Sequence, residues 1–171
     1  MVEKEATRTL RGHGSDVKGV VISPDGQWIL SASQDNTVKI WRFATGECIR
    51  TLNGHTSSVH GVAIGRDGQT VASGSYDDTA RIWRFSSGQC LHTLSQHTKD
   101  VYSVVFTPDG QYVITGSEDE TIKVWRVSDG RCERTLRGHT DDIWHVAISP
   151  DGQLIASGSE DNSARIWRLV S

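Results

Sequence analysis

The sequence predicts an all-β protein made of four tandem units, and three observations carry that prediction. Residue types recur at an interval of 42: His13, His55, His97 and His139; Trp41, Trp83, Trp125 and Trp167; Gly26, Gly68, Gly110 and Gly152. Within each unit, short runs that alternate apolar and polar residues are broken by Gly and Asp turns about every ten residues, which suits strands and leaves no room for a helical period. The composition is that of one ordinary globular domain, with 171 residues, 36% hydrophobic and 23% charged.

The second unit shows the elements in order. Val59, Val62 and Ile64 punctuate a first strand, and Gly65-Arg66-Asp67-Gly68 supplies a turn that lacks the Ser-Pro or Thr-Pro of the other units and is expected to be looser. Residues 70–75 form a second strand, Tyr76-Asp77-Asp78 a second turn, and residues 79–84 a third strand. Ser86-Ser87-Gly88 turns the chain into a fourth strand over residues 90–94. The unit is thus a four-stranded antiparallel meander, and a shift of 42 gives the others. Residues 1–171 form one domain with repeats at about 4–45, 46–87, 88–129 and 130–171 and no linker between them. Cys48, Cys90 and Cys132 share one place in the fourth strand, with Ala6 at the equivalent place before them, so that position is expected to be small, buried and apolar.

Charge and motif spacing exclude several functions. Eighteen Lys+Arg against 21 Asp+Glu, with both signs interspersed, give no basic stripe for nucleic acid or an anionic membrane. No run of 18 apolar residues exists and Met1 to Glu5 lacks the core of a secretion signal, so a cytoplasmic location is expected. Three widely spaced cysteines make no disulfide framework, and His60, His92 and His145 fit no zinc spacing. Neither a metal nor another cofactor is expected.

Each unit also carries a Gly-His element (Gly12-His13, Gly54-His55, Gly138-His139, with Gln96-His97 deviating), a Pro-Asp-Gly-type turn, a Ser-Gly-Ser-x-Asp-type segment and an Ile-Trp or Val-Trp pair. In these motifs the chain resembles tandem WD40 repeats, departing uniformly where Trp-Asp becomes Trp-Arg at Arg42, Arg84, Arg126 and Arg168. The resemblance implies a β-propeller of four-stranded antiparallel blades. It also implies a hydrogen-bonded tetrad in each unit: His13, Ser31, Asp35 and Trp41; His55, Ser73, Asp77 and Trp83; His97, Thr115, Asp119 and Trp125; His139, Ser157, Asp161 and Trp167. A Ser/His/Asp set invites a hydrolase reading, but fourfold recurrence beside a Trp suits a structural network better than one exposed nucleophile. No catalytic residue is assigned and the protein is read as non-enzymatic. Such regularity fits a recently duplicated or an engineered half-propeller.

Fitting strands to the period places Ala6, Thr7, Arg8, Thr9, Leu10 and Arg11 as the outermost strand of a unit, whereas the last unit ends after its third strand, Ser163, Ala164, Arg165, Ile166, Trp167 and Arg168. In propellers of the resembled family a first strand completes the last blade, so these two segments are expected to close a ring. Family rings usually have more than four blades, which favours two chains head to tail as one eight-bladed homodimer over a four-bladed ring, a fragment or an open assembly. The face bearing the Gly-His loops is the expected binding face, through Lys18, His60, Tyr102 and Trp144 and, beside them, Gln34, Tyr76, Glu118 and Glu160. Its acids favour a basic peptide or protein as partner. A purely structural, self-assembling propeller is the alternative. On the opposite face Arg42, Arg84, Arg126 and Arg168 are expected to be neutralised by Asp25, Asp67, Asp109 and Asp151.

Overall fold

A computed structural model describes residues 8–169, in which fifteen strands form four antiparallel sheets. Blade one contains β1 (Val17–Ile22), β2 (Trp28–Ser33), β3 (Val38–Arg42) and β4 (Cys48–Leu52); blade two contains β5 (Val59–Ile64), β6 (Thr70–Ser75), β7 (Ala80–Arg84) and β8 (Cys90–Leu94). Blade three contains β9 (Val101–Phe106), β10 (Tyr112–Ser117), β11 (Thr121–Arg126) and β12 (Cys132–Arg137), and blade four β13 (Ile143–Ile148), β14 (Leu154–Ser159) and β15 (Ala164–Arg168). Each sheet is a meander in sequence order. Blade four therefore has three strands among the described residues, against the four of each other blade.

Turn chemistry fixes the meander. In the first turn Ser23 N–H donates to the Trp28 carbonyl at 2.9 Å and Gly26, at φ +70°, accepts the left-handed conformation. The turn beginning at Gly65 was expected to be looser and is not, since Gly65 N–H donates to the Thr70 carbonyl at 2.8 Å and Gly68 N–H to Gly65 at 2.9 Å. It lacks only the hydroxyl that Ser23 adds. In the second turn the left-handed residue is Asn36, Asp78, Glu120 or Asn162, at φ 62° to 68°. Asn tolerates that conformation better than Glu.

The core lies between blades rather than within them. Leu30, Val38 and Ile40 of blade one meet Val59, Val71 and Trp83 of blade two. Ala72, Ala80 and Ile82 meet Val101, Val104 and Trp125, and Ile114, Ile122 and Val124 meet Ile143, Val146 and Ile155. Full burial of such a side chain contributes about 1.5–3 kcal/mol relative to exposure. The outer faces of the stack forgo it: Val17, Val20 and Ile22 are 54%, 68% and 54% exposed, and Ile166 is 72% exposed where Ile40 and Ile82 are at 0%.

Residues 8–10 form no strand. Arg8 donates to the Ala44 carbonyl at 2.6 Å, and Arg8 and Leu10 flank Gly46 as Arg50 and Leu52 of β4 flank Gly88 of the next blade. They thus occupy the place of an outer strand belonging to a blade before blade one. Within one chain the segment 8–11 does not pair with β15, and no strand lies on the outer side of β15 among the described residues; Ala6 and Thr7 lie outside them. The cysteines also differ from expectation. Cys48 is exposed and Cys90 and Cys132 are only partly buried, because the fourth strand is the sheet edge and one of its sides faces solvent.

Candidate functional site

Two constellations are built on this frame, one inside each blade and one along its upper rim. Inside blade two, Trp83 Nε1–H donates to Ser73 Oγ at 2.8 Å, Ser73 Oγ lies 2.7 Å from His55 Nε2, and His55 Nδ1 lies 2.8 Å from Asp77 Oδ2. Indole can only donate and a carboxylate only accepts, so the hydroxyl proton points to Nε2 and the imidazole proton sits on Nδ1. The same chain runs through His13, Ser31, Asp35 and Trp41, through His97, Thr115, Asp119 and Trp125, and through His139, Ser157, Asp161 and Trp167, with every link between 2.6 and 2.8 Å.

Each aspartate also anchors the second turn: Asp77 accepts the Thr56 N–H at 3.0 Å and the Thr79 hydroxyl at 2.6 Å. Burial would raise the carboxyl of Asp77, but hydrogen bonds from His55, Thr79 and Thr56 outweigh it and hold the group well below the usual carboxylate range. Asp35 and Asp119 are lowered against the same burial, and Asp161 is lowered chiefly by the Ser163 hydroxyl. Burial also lowers His97, which suits a neutral imidazole. Ser73 and Thr115 are 0% exposed and bonded on both sides, so neither hydroxyl is presented as a nucleophile.

The upper rim is made by β-bulges. Val17 pairs with Ser33 and Gly19 with Ala32, which leaves Lys18 as the extra residue; His60, Tyr102 and Trp144 are the extra residues of the equivalent bulges. A bulge re-aims a side chain out of the sheet. The structure joins these residues with those beside them. His60 stacks on Tyr76 at 4.0 Å between centroids, Tyr76 meets Tyr102 edge-on at 5.4 Å, and Tyr102 stacks on Trp144 at 4.2 Å. Tyr102 Oη donates to Glu118 at 3.2 Å and reaches Asp142 of the next blade at 3.5 Å, and Trp144 Nε1–H donates to Glu160 at 3.3 Å. Lys18 pairs with Asp16 at 3.2 Å and Gln34 accepts from Ser15, so these two stand apart from the aromatic row.

The row is strongly acidic. Burial, then the charges of Glu118, Asp78 and Asp142, push Asp100 up to about 6. Burial and the neighbouring Glu118, Asp141 and Glu160 also raise Asp142, and burial followed by Glu118 and Asp142 raises Tyr102. Lys99 offsets part of this charge, 3.3 Å from Glu118. Asp141 and Asp142, just before β13, and Glu160, just after β14, bring one oxygen each within 4.8 Å of one another.

The opposite face is wired differently from expectation. Asp25, Asp109 and Asp151 accept hydrogen bonds within their own turns, from Ser23, Thr107 and Ser149. Arg42 instead lies 3.8 Å from Glu47, and Arg126 pairs with Asp129 at 3.0 Å and with Glu133. A cavity of about 520 Å³ opens on that side, with Pro108, Tyr112, Val124 and Leu169 in its wall.

The WD domain, G-beta repeat profile matches residues 4–42, 46–84, 88–126 and 130–168. Among curated proteins, the ribosome biogenesis protein BOP1 homolog of Drosophila grimshawi is 55% identical over 39 residues, and bop1 of Danio rerio is 46% identical over 39 residues. In both cases the match covers 23% of this chain and spans about 5% of the relative's length, which is a single repeat. The four consecutive profile matches cover most of the sequence, and the chain belongs to the WD domain, G-beta repeat family, whose members are generally non-enzymatic scaffolds for protein interaction.

Proposed function

We propose that this protein is a scaffold whose acidic, aromatic rim binds a basic peptide segment. The observation that supports this most is the row from His60 to Trp144: four bulge-presented or adjacent rings backed by Glu118, Asp142 and Glu160. Stacked rings offer rigid apolar area, carboxylates at their edges attract Lys or Arg, and both are features of interaction hot spots. The tetrads hold the strands and turns that carry the row and take no direct part in recognition. The likeness to ribosome biogenesis proteins is one repeat long and supplies no partner.

The scaffold works as two chains around one axis, eight blades in all, with residues 6–11 of one chain beside residues 163–168 of the other. Supporting this are the open side of β15 and the position of Arg8 and Leu10 beside Gly46. The test of binding is calorimetric titration with Arg/Lys-rich, neutral and acidic peptides of equal length at low and high salt. Salt-sensitive binding of the basic peptide alone, weakened by Glu118→Gln and Trp144→Ala, is expected. Equal or absent binding of all three favours the alternative, a self-assembling propeller without an external ligand.

A further inference from the structure

Two of the three blade joints seat a branched side chain on a glycine and the first seats Val59 near Ala32 instead, and among the described residues the two halves of a fourth joint stand uncovered at opposite ends. At the joint of blades two and three, a Cβ on Gly74 would lie 2.9 Å from both Cγ1 and the carbonyl oxygen of Val101. At the next, a Cβ on Gly116 would lie 2.9 Å from Ile143 Cγ2. Gly158 holds the same place in blade four and has nothing within 4 Å. Val17, one repeat before Val59 and two before Val101, is 54% exposed where Val101 and Ile143 are at 0%. One end of the chain is therefore a socket without its knob, and the other a knob without its socket.

The rim is interrupted at the same place. Tyr102 bonds Glu118 of its own blade and reaches into the next, where it stacks on Trp144 and approaches Asp142. Trp144 bonds Glu160 of its own blade, meets no further blade among the described residues, and is 39% exposed. The repeat that would follow in register begins with Lys18, a cation where blades two to four have rings.

We propose that a second copy of this chain seats its blade one on blade four, with its Val17 over Gly158 and its Lys18 beside Trp144 and Glu160, and that the same joint recurs at the other end. This rests on the two-chain ring read above, and it makes the last rung of the rim a composite of both copies. Charge matches across the contact: a lysine enters beside Glu160 and Asp142, and the face of an indole suits an ammonium. The outer-strand slot held by Arg8 and Leu10 continues the contact along the blade. Because knob and socket are different surfaces, the contact is head to tail and is satisfied only by closure.

One residue sets this joint apart. Gly19, Gly61 and Ser103 precede Val20, Val62 and Val104 in the first three blades, and a Cβ on Gly61 would lie 2.9 Å from the Tyr102 carbonyl oxygen. Ser103 is accommodated by accepting the Val146 N–H at 3.1 Å. The fourth blade carries His145 at this position, so the joint between copies sits wider than those within a chain and opens first.

The test is the absolute mass by light scattering over a concentration series, for the wild-type chain and four variants. Wild type is expected at twice the 18.8 kDa of one chain. Gly158→Leu fills the socket from a position whose Cβ meets nothing within 4 Å in its own chain, so the circular dichroism spectrum is expected to be retained while the dissociation constant rises on the order of a hundredfold or more. Lys18→Glu and Glu160→Lys each weaken pairing, and the two together restore it. His145→Ser tightens it. A one-chain mass at every concentration overturns both the ring and this joint. A two-chain mass that survives Gly158→Leu leaves the ring standing and overturns the joint.

Discussion

Replacing Ser73 by Ala removes the one atom that joins indole to imidazole in blade two. Ser73 is 0% exposed, Trp83 1% and His55 7%, so neither partner gains water when the hydroxyl goes. The Trp83 N–H loses an acceptor at 2.8 Å and His55 Nε2 loses a donor at 2.7 Å. Each buried polar group left unpaired costs about 1–3 kcal/mol, so with two of them the substitution should destabilise the protein by about 2–6 kcal/mol. Ser73→Thr is the control: Thr115 performs the same task in blade three at 2.7 and 2.8 Å, so threonine keeps both bonds and should cost less than about 1 kcal/mol. In the unpaired chain, at high dilution, Ser157→Ala should cost less than Ser73→Ala, because there Trp167 is only partly buried and its indole can recruit water. Urea denaturation followed by circular dichroism, at one fixed protein concentration because assembly adds to apparent stability, reads all three. A loss below about 0.5 kcal/mol for Ser73→Ala, or an equal loss for Ser73→Thr, would refute the reasoning that the tetrad is a buried and obligatory network.

Three further outcomes are expected. The tetrad carboxylates Asp35, Asp77, Asp119 and Asp161 are lowered in the folded chain, so as pH falls the unfolded chain binds protons first; their stabilisation is fully present above about pH 4 and is lost below it. Urea midpoints from pH 6 to pH 3 should fall steeply only at the acid end. Binding of a basic peptide should tighten between pH 5 and 7, since a cation selects the ionised form of Asp100, which titrates near 6, and Asp100→Asn should flatten that profile in calorimetry. Gly74→Ala should lower the thermal midpoint, because its Cβ would sit 2.9 Å from the Val101 carbonyl, at a cost of about 1–3 kcal/mol.

Much of the fold was legible because a 42-residue period lets one unit instruct the next. Residues 59–64, 70–75 and 90–94 read as strands from alternation and turn chemistry, and they are β5, β6 and β8. The tetrad residues lie 10, 18 and 22 positions apart in sequence yet converge in every blade, an arrangement the motif resemblance supplied and alternation alone could not. The rim residues were identified as a binding face, but not that Lys18, His60, Tyr102 and Trp144 are the unpaired members of bulges; the Lys18, Gly19 and Val20 stretch carries no sign of broken register. Contacts between blades, such as Tyr102 with Trp144, depend on the spacing of sheets and are invisible to a reading along one strand. Cys48 misled for a related reason, since small and apolar describes a residue without saying which side of an edge strand it faces.

Placing the core in the joints between sheets makes this protein thermodynamically close to a one-dimensional chain, in which each unit is held only by its neighbours. In such a chain the terminal units are the least supported: among the described residues blade four, with three strands and an Ile166 that is 72% exposed, has one neighbouring blade, while blades two and three have two. Bending the chain into a circle changes its statistics as well as its area, because every unit then has two neighbours and opening must break two joints at once. In the proposed ring, damage that a linear array would suffer at its ends would be converted into a cooperative threshold, and the weakest joint would set where that threshold lies.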